Sequence, residues 1–163
     1  MASKFHLVLD TNVLISALIN DGAARRFVRR VLNEKVKVVL SDYIINEVEE
    51  VLKRKKFSKM EIVIDLWEVL KQEARVVSVP VDHQTTTVRD PKDHPILLTA
   101  VKSGAEVIVT GDGDLLVLKE WKGVRIVKMS QMKVGNPLID LVGFEKSKTG
   151  AIGLNIDEIY EEV

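Results

Sequence analysis

The stretch Phe5-His6-Leu7-Val8-Leu9-Asp10-Thr11-Asn12-Val13-Leu14 decides the fold. Its first half is a short apolar run that reads as a buried strand. The run ends at Asp10. Thr11 and Asn12 can then cap a helix over Val13 to Ile19. An aspartate thus stands where a strand turns into a helix.

The same alternation continues along the chain. Gly22 breaks the first helix, and Ala23 to Asn33 reads as a second one. Phe27, Val28, Val31 and Leu32 give it an apolar side. Val36 to Leu40 is a β-branched strand, and Ser41-Asp42 caps a helix that runs to about Arg54. Ser58 is positioned to cap a further helix, from Lys59 to about Ala74. Arg75 to Val79 is a third strand, closed by Pro80. Val81 to Lys92 is polar and reads as a loop. Asp93 opens a helix to Ser103, where Pro95 is tolerated because the first turn has no intrahelical use for that N–H. Glu106 to Val109 and Val124 to Val127 complete the strands, with a short helix from Leu115 to Lys119 between them. Strands alternating with helices predict an α/β three-layer sandwich around a mostly parallel sheet of about five strands.

With 163 residues, a single domain is the default. Residues 1–135 are expected to form it. Residues 136–163 form a C-terminal extension, either a mobile tail or an arm that docks elsewhere. There is no cysteine, so disulfides, thiolate zinc sites and a cysteine nucleophile are excluded. No signal peptide is seen, and no apolar run is long enough to span a bilayer. A cytoplasmic address is expected. The formal net charge is zero, so global electrostatic binding of nucleic acid is not indicated. The local distribution differs. Arg25, Arg26, Arg29 and Arg30 cluster on one segment, and Lys53, Arg54, Lys55, Lys56 and Lys59 on another. These are either solvated helix faces or contacts for phosphates.

The acids carry the functional signal. In open parallel sheets, ligands gather beyond the carboxyl ends of the strands. Asp10, Asp42 and Asp112 stand at such ends, Asp114 follows Asp112, and Asp93 starts a helix on the same rim. Taken singly, Asp10, Asp93 and Asp112 are also favoured helix caps. Taken together they are harder to dismiss. Like charges about 4 Å apart repel by roughly 4 kcal/mol at an effective dielectric near 20. A fold that gathers them needs something positive among them, or some must hold protons. Magnesium or manganese fits, because both prefer carboxylate and water oxygens. Zinc does not, because cysteine is missing and His6, His83 and His94 are scattered. Glu47 shares a helix face with Ile44, Val48 and Val51, and that face is expected to meet the sheet. Glu49 and Glu50 are expected to point outward. The apolar residues Ile62, Leu66, Trp67 and Leu70 fit either core packing or an interaction face.

These blocks, in order, resemble a PIN-domain nuclease. The resemblance rests on Leu9 to Leu14, on Ser41 followed by Glu47, on Asp93 with Ile96, Leu97 and Ala100 behind it, and on Ile108-Val109-Thr110-Gly111-Asp112-Gly113-Asp114-Leu115. It covers about residues 5 to 130 and is similar to the VapC-like toxins of toxin–antitoxin pairs. The resemblance implies a Mg2+- or Mn2+-dependent endoribonuclease acting on single-stranded RNA. It implies Asp10, Glu47, Asp93, Asp112 and Asp114 as catalytic acids, with Asp10, Asp93 and Asp112 as metal ligands. Asn12 and Thr110 would support them. Arg25, Arg26, Arg29, Arg30, Lys55 and Lys56 would contact RNA phosphates. A homodimer and an antitoxin protein are the implied partners.

Three alternatives compete. A PIN-like module could bind RNA or protein without cutting, which the intact acidic set argues against. A phosphatase of the haloacid dehalogenase class needs a second acid two residues after the first aspartate, where this chain has Asn12, and it leaves Glu47 without a role. A structure-specific DNA nuclease would need a helical arch and DNA-binding helices that the short chain lacks.

Overall fold

The computed structural model describes residues 5–34, 36–54, 57–80 and 94–132. Asp93, Lys55, Lys56, the polar stretch before Asp93 and the C-terminal extension lie outside the described residues.

The strands are β1 (Phe5–Leu9), β2 (Val36–Ser41), β3 (Arg75–Val77), β4 (Val107–Val109), β5 (Glu120–Trp121) and β6 (Val124–Val127). They form one sheet in the order β3-β2-β1-β4-β6-β5. The first five of these pair in parallel, and β5 closes the edge antiparallel to β6. The helices are α1 (Thr11–Ile19), α2 (Ala23–Asn33), α3 (Asp42–Arg54), α4 (Glu61–Glu73), α5 (His94–Ser103) and α6 (Gly113–Leu116). Together they give the expected three-layer α/β architecture.

The central strands explain themselves. Leu7, Val8, Leu9, Val107, Ile108 and Val109 are all fully buried, as continuous apolar strands covered on both faces should be. The sheet has six strands rather than about five. The extra one, β5, is two residues long and exists because Lys122 and Gly123 both take positive φ, at 50° and 85°. That pair makes the tight turn whose twist suits a two-residue hairpin. A strand so short leaves no periodicity to read.

Two local expectations need correction. The cap of α4 is Met60, with no side-chain hydrogen bond, and not Ser58. On the same helix Leu66, Trp67 and Leu70 are core, while Ile62 is exposed. Glu49 does not point freely outward. It accepts from the Trp67 indole and from Lys71, both at 3.0 Å. Burial pushes its carboxyl up, but the Trp67 and Lys71 donors outweigh that and hold it below the usual value.

The sheet order sets the site. β1 lies between β2, which follows it in sequence, and β4, which does not. The crevice at the carboxyl ends of β1 and β4 is therefore the switch point of the sheet, where ligands of open α/β folds bind. The register pairs Leu9 with Val109, so Asp10 emerges beside Thr110.

Candidate active site

Asp10 caps α1 from an extended backbone conformation, and its Oδ1 accepts from the Thr11 N–H at 2.7 Å. Its other oxygen, Oδ2, accepts from the Thr110 hydroxyl at 2.6 Å. Capping and site formation thus coincide in one side chain. Asp10 is only 5% exposed. That burial raises its pKa, the Thr110 and Thr11 donors partly counter the rise, and the Asp112 and Glu47 charges add to it.

Thr110 links two acids. While its hydroxyl donates to Asp10, its oxygen accepts from the Asp112 N–H at 3.0 Å. Asp112 caps α6, with Oδ1 accepting from the Asp114 N–H at 2.9 Å. Glu47 arrives from α3 and is held at both oxygens. Oε1 accepts from the Thr11 hydroxyl at 2.8 Å, and Oε2 accepts from the Tyr43 hydroxyl at 3.1 Å.

Asp10, Glu47 and Asp112 open onto one cavity of about 630 Å³. Thr11, Asn12, Ile15, Tyr43, Glu50, Val51, Arg54 and Ile96 complete its walls. Helix α3 supplies the largest share of the lining, through the stripe Tyr43, Glu47, Glu50 and Val51, and Arg54. The neighbouring stripe, Ile44, Val48 and Leu52, is the one buried in the core. The expected grouping of Glu47 with Ile44 and Val48 therefore merges two adjacent stripes, and Glu50, exposed as expected, also borders the cavity.

Other acids separate from this group. Asp42 accepts from the Ser78 hydroxyl, the Tyr43 N–H and the Val79 N–H, tying the start of α3 to the chain after β3. The Ser78 hydroxyl and the Val79 amide draw its pKa down, the opposite of Asp10. Asp114 is not among the residues lining the cavity. Thr110 and Asn12 also line a smaller groove of about 330 Å³ next to it.

The expected basic contacts divide in the same way. Arg25 donates to the carbonyls of Ala17 and Leu18, at 2.8 and 2.7 Å, and so braces the end of α1. Arg26, Arg29 and Arg30 are exposed on α2 and do not line the cavity. Among the described residues the cation on its wall is Arg54. Tyr43 is the cavity side chain that sequence reading passed over, while Thr11 was read only as a cap and Arg54 only as part of a basic cluster. Helical spacing of four and seven from Glu47 was the signal that could have found Tyr43 and Arg54.

Among the described residues no three Asp, Glu or His side chains stand grouped so as to hold a metal ion. The donor chemistry still suits a hard cation. Asp10, Glu47 and Asp112 offer oxygen only, no described Lys or Arg forms an ion pair with them, and their mutual charge destabilises ionised Asp10. Asp93, the third expected ligand, lies outside the described residues. His94 beside it is buried, edge-on to Trp121, and its Nδ1 has no hydrogen-bond partner among the described residues.

The family model described as PIN domain matches residues 6–114. An uncharacterized protein of Methanocaldococcus jannaschii is 28% identical over 155 residues, covering 88% of this chain and 94% of its own. Among solved structures, VapBC2 from Rickettsia felis, bound to a DNA fragment from its promoter, superposes with a TM-score of 0.54 at 12% identity. That match covers 75% of this chain and 97% of the other. The PIN domain endonuclease Utp24 gives a TM-score of 0.46 at 19% identity, over 77% and 85% of the two chains. No described helix is long and apolar enough to cross a membrane.

Proposed function

The chain belongs to the PIN-domain family, and from that premise we propose that it is a metal-dependent endoribonuclease that hydrolyses phosphodiester bonds of single-stranded RNA. One observation carries the reading. Carboxylates from the ends of β1 and β4 and from α3 meet in a single cavity, with no described basic side chain paired to them.

Asp10 and Asp112, with Asp93, would hold Mg2+ or Mn2+. When bound, the cation would offset the charge of the phosphodiester and lower the pKa of a water. Glu47, fixed by Thr11 and Tyr43, is oriented to take that water's proton or to aim it. Asp114 would act through Asp112, since its amide already holds Asp112 Oδ1. Thr110 keeps Asp10 and Asp112 in register. Arg26, Arg29, Arg30, Lys55 and Lys56 would contact phosphates farther along the strand.

Residues 1–135 are proposed as the nuclease domain, with the rest as an extension. The likeness to VapBC2 supports a toxin role with a small antitoxin partner, and a homodimer is part of the same proposal. Co-purification with the product of a short adjacent gene would test the pairing.

The central experiment is incubation with single-stranded RNA and Mg2+, with and without chelator. Cleavage is expected only with Mg2+. It should vanish in Asp10→Asn and Asp112→Asn while circular dichroism stays unchanged. Cleavage that resists chelator would overturn the proposal.

A further inference from the structure

Asp10, Glu47 and Asp112 make up only part of the cavity's lining, and catalysis at a phosphate does not call for the rest of it. At about 630 Å³ the space lies in the range of roughly 300–1,000 Å³ that suits a small organic group. Its remaining wall is mixed: Ile15 from α1, Tyr43 and Val51 from α3 and Ile96 from α5 give it an apolar part, beside the polar Thr11, Asn12, Glu50 and Arg54. Arg54 stands on that wall, at the far end of the stripe that begins at Tyr43. The stripe runs for about 16 Å at 1.5 Å per residue. It thus sets an aromatic ring and apolar side chains beside the carboxylates and a guanidinium beyond them.

We propose that this wall is a nucleobase slot. An unpaired base stacks on the Tyr43 ring between Ile15, Val51 and Ile96, and Arg54 takes the next phosphate. Aromatic rings accept any base by its π-face, and arginine suits phosphate oxygens. Glu50, on the same stripe, offers an acceptor to an exocyclic amine of the base. A base engaged this way cannot be paired, so the slot would select single strands. The inference rests on the nuclease reading, because it places the base next to the scissile phosphate.

Tyr43 also donates to Glu47, so its ring and hydroxyl have separable roles. Binding is measured with a short single-stranded RNA carrying 2-aminopurine, in chelator and in an Asp10→Asn background so that nothing is cut. The single strand is expected to bind more tightly than its duplex, with the fluorescence quenched by stacking. Tyr43→Ala should weaken binding by about tenfold or more and restore fluorescence, a loss typical of one stacked base. Tyr43→Phe should keep both affinity and quenching. Arg54→Ala, at an exposed position, should weaken binding and reduce the salt slope by about 1. It also tests the slot should Tyr43→Ala fail to fold.

Equal affinity for single strand and duplex overturns the slot, as does unchanged affinity in Tyr43→Ala or Arg54→Ala. A parallel cleavage assay with Asp10 intact separates the two ideas. Absence of cleavage in Mg2+ defeats the nuclease reading whatever the binding shows. Cleavage with unaltered binding in the variants defeats the slot alone.

Discussion

Thr110 and Asp10 sit side by side at the ends of β4 and β1, and the Thr110 hydroxyl donates to Asp10 Oδ2 at 2.6 Å while accepting from the Asp112 amide. One hydroxyl therefore fixes the spacing of two acids 102 positions apart in sequence. Thr110→Val preserves shape but leaves a buried carboxylate oxygen without its donor. It should cost about 1–3 kcal/mol of stability, read from urea unfolding. Cleavage should fall more than stability does, because Asp10 and Asp112 lose their common tether.

The two ends of α3 and α1 predict opposite pH effects. Burial raises the pKa of Asp10 above its ordinary 3.8. Between 3.8 and the raised native value, the folded protein keeps a proton that the unfolded chain has lost. The Asp10 contribution therefore falls as pH rises through that window and stays low above it. Without divalent cation, Asp10→Asn should remove this dependence and unfold no more easily than the parent at neutral pH. Asp42 behaves in reverse, because the Ser78 hydroxyl and the Val79 amide lower its pKa. Its contribution is present above 3.8 and is lost as pH falls through the native value. Comparing Asp10→Asn and Asp42→Asn, each with the parent, in urea melts from about pH 2 to 8 reads the two slopes.

Divalent cation should relieve the repulsion at the cavity. Thermal melting with Mg2+ at about 100 times its dissociation constant should show roughly 2.7 kcal/mol of added stability. Asp10→Asn and Asp112→Asn should lose that gain. A gain of equal size in both variants would place the cation elsewhere.

Glu47 is held by two hydroxyls, from Thr11 and Tyr43. Glu47→Gln should lower kcat by about 10²–10⁴, the usual worth of a positioned acid–base group. Thr11→Val and Tyr43→Phe should each give a smaller fall. An unchanged kcat in both variants would mean that the hydroxyls serve packing only.

Ser41 closes the first turn of α3, where its hydroxyl accepts from the Ile44 N–H at 3.3 Å and lies 2.8 Å from the Thr99 hydroxyl. It is fully buried. Ser41→Ala should destabilise by about 1–2 kcal/mol in chemical denaturation. Activity should fall with it, since α3 carries the Tyr43–Glu47–Arg54 wall.

Much of this was legible in the chain itself. Phe5 to Leu14 announced a buried strand ending in an acid and a helix cap, and the structure has that element in that place. The period of each apolar run fixed the order of strands and helices, because burial on both faces leaves a continuous run and burial on one leaves a spaced one. The PIN-like α/β class followed. What periodicity could not supply was a two-residue strand formed by its own turn, or the choice between adjacent stripes of α3.

Local sequence determined which elements form and that Asp10 and Asp112 cap helices, because caps and periods depend on near neighbours alone. Only the tertiary structure decided that Glu47 is gripped by Thr11 and Tyr43, that Arg25 braces α1, and that Arg54 reaches the cavity. Those outcomes depend on which side chains from distant segments come within hydrogen-bonding range. That range is set by sheet order and register, which no local pattern encodes.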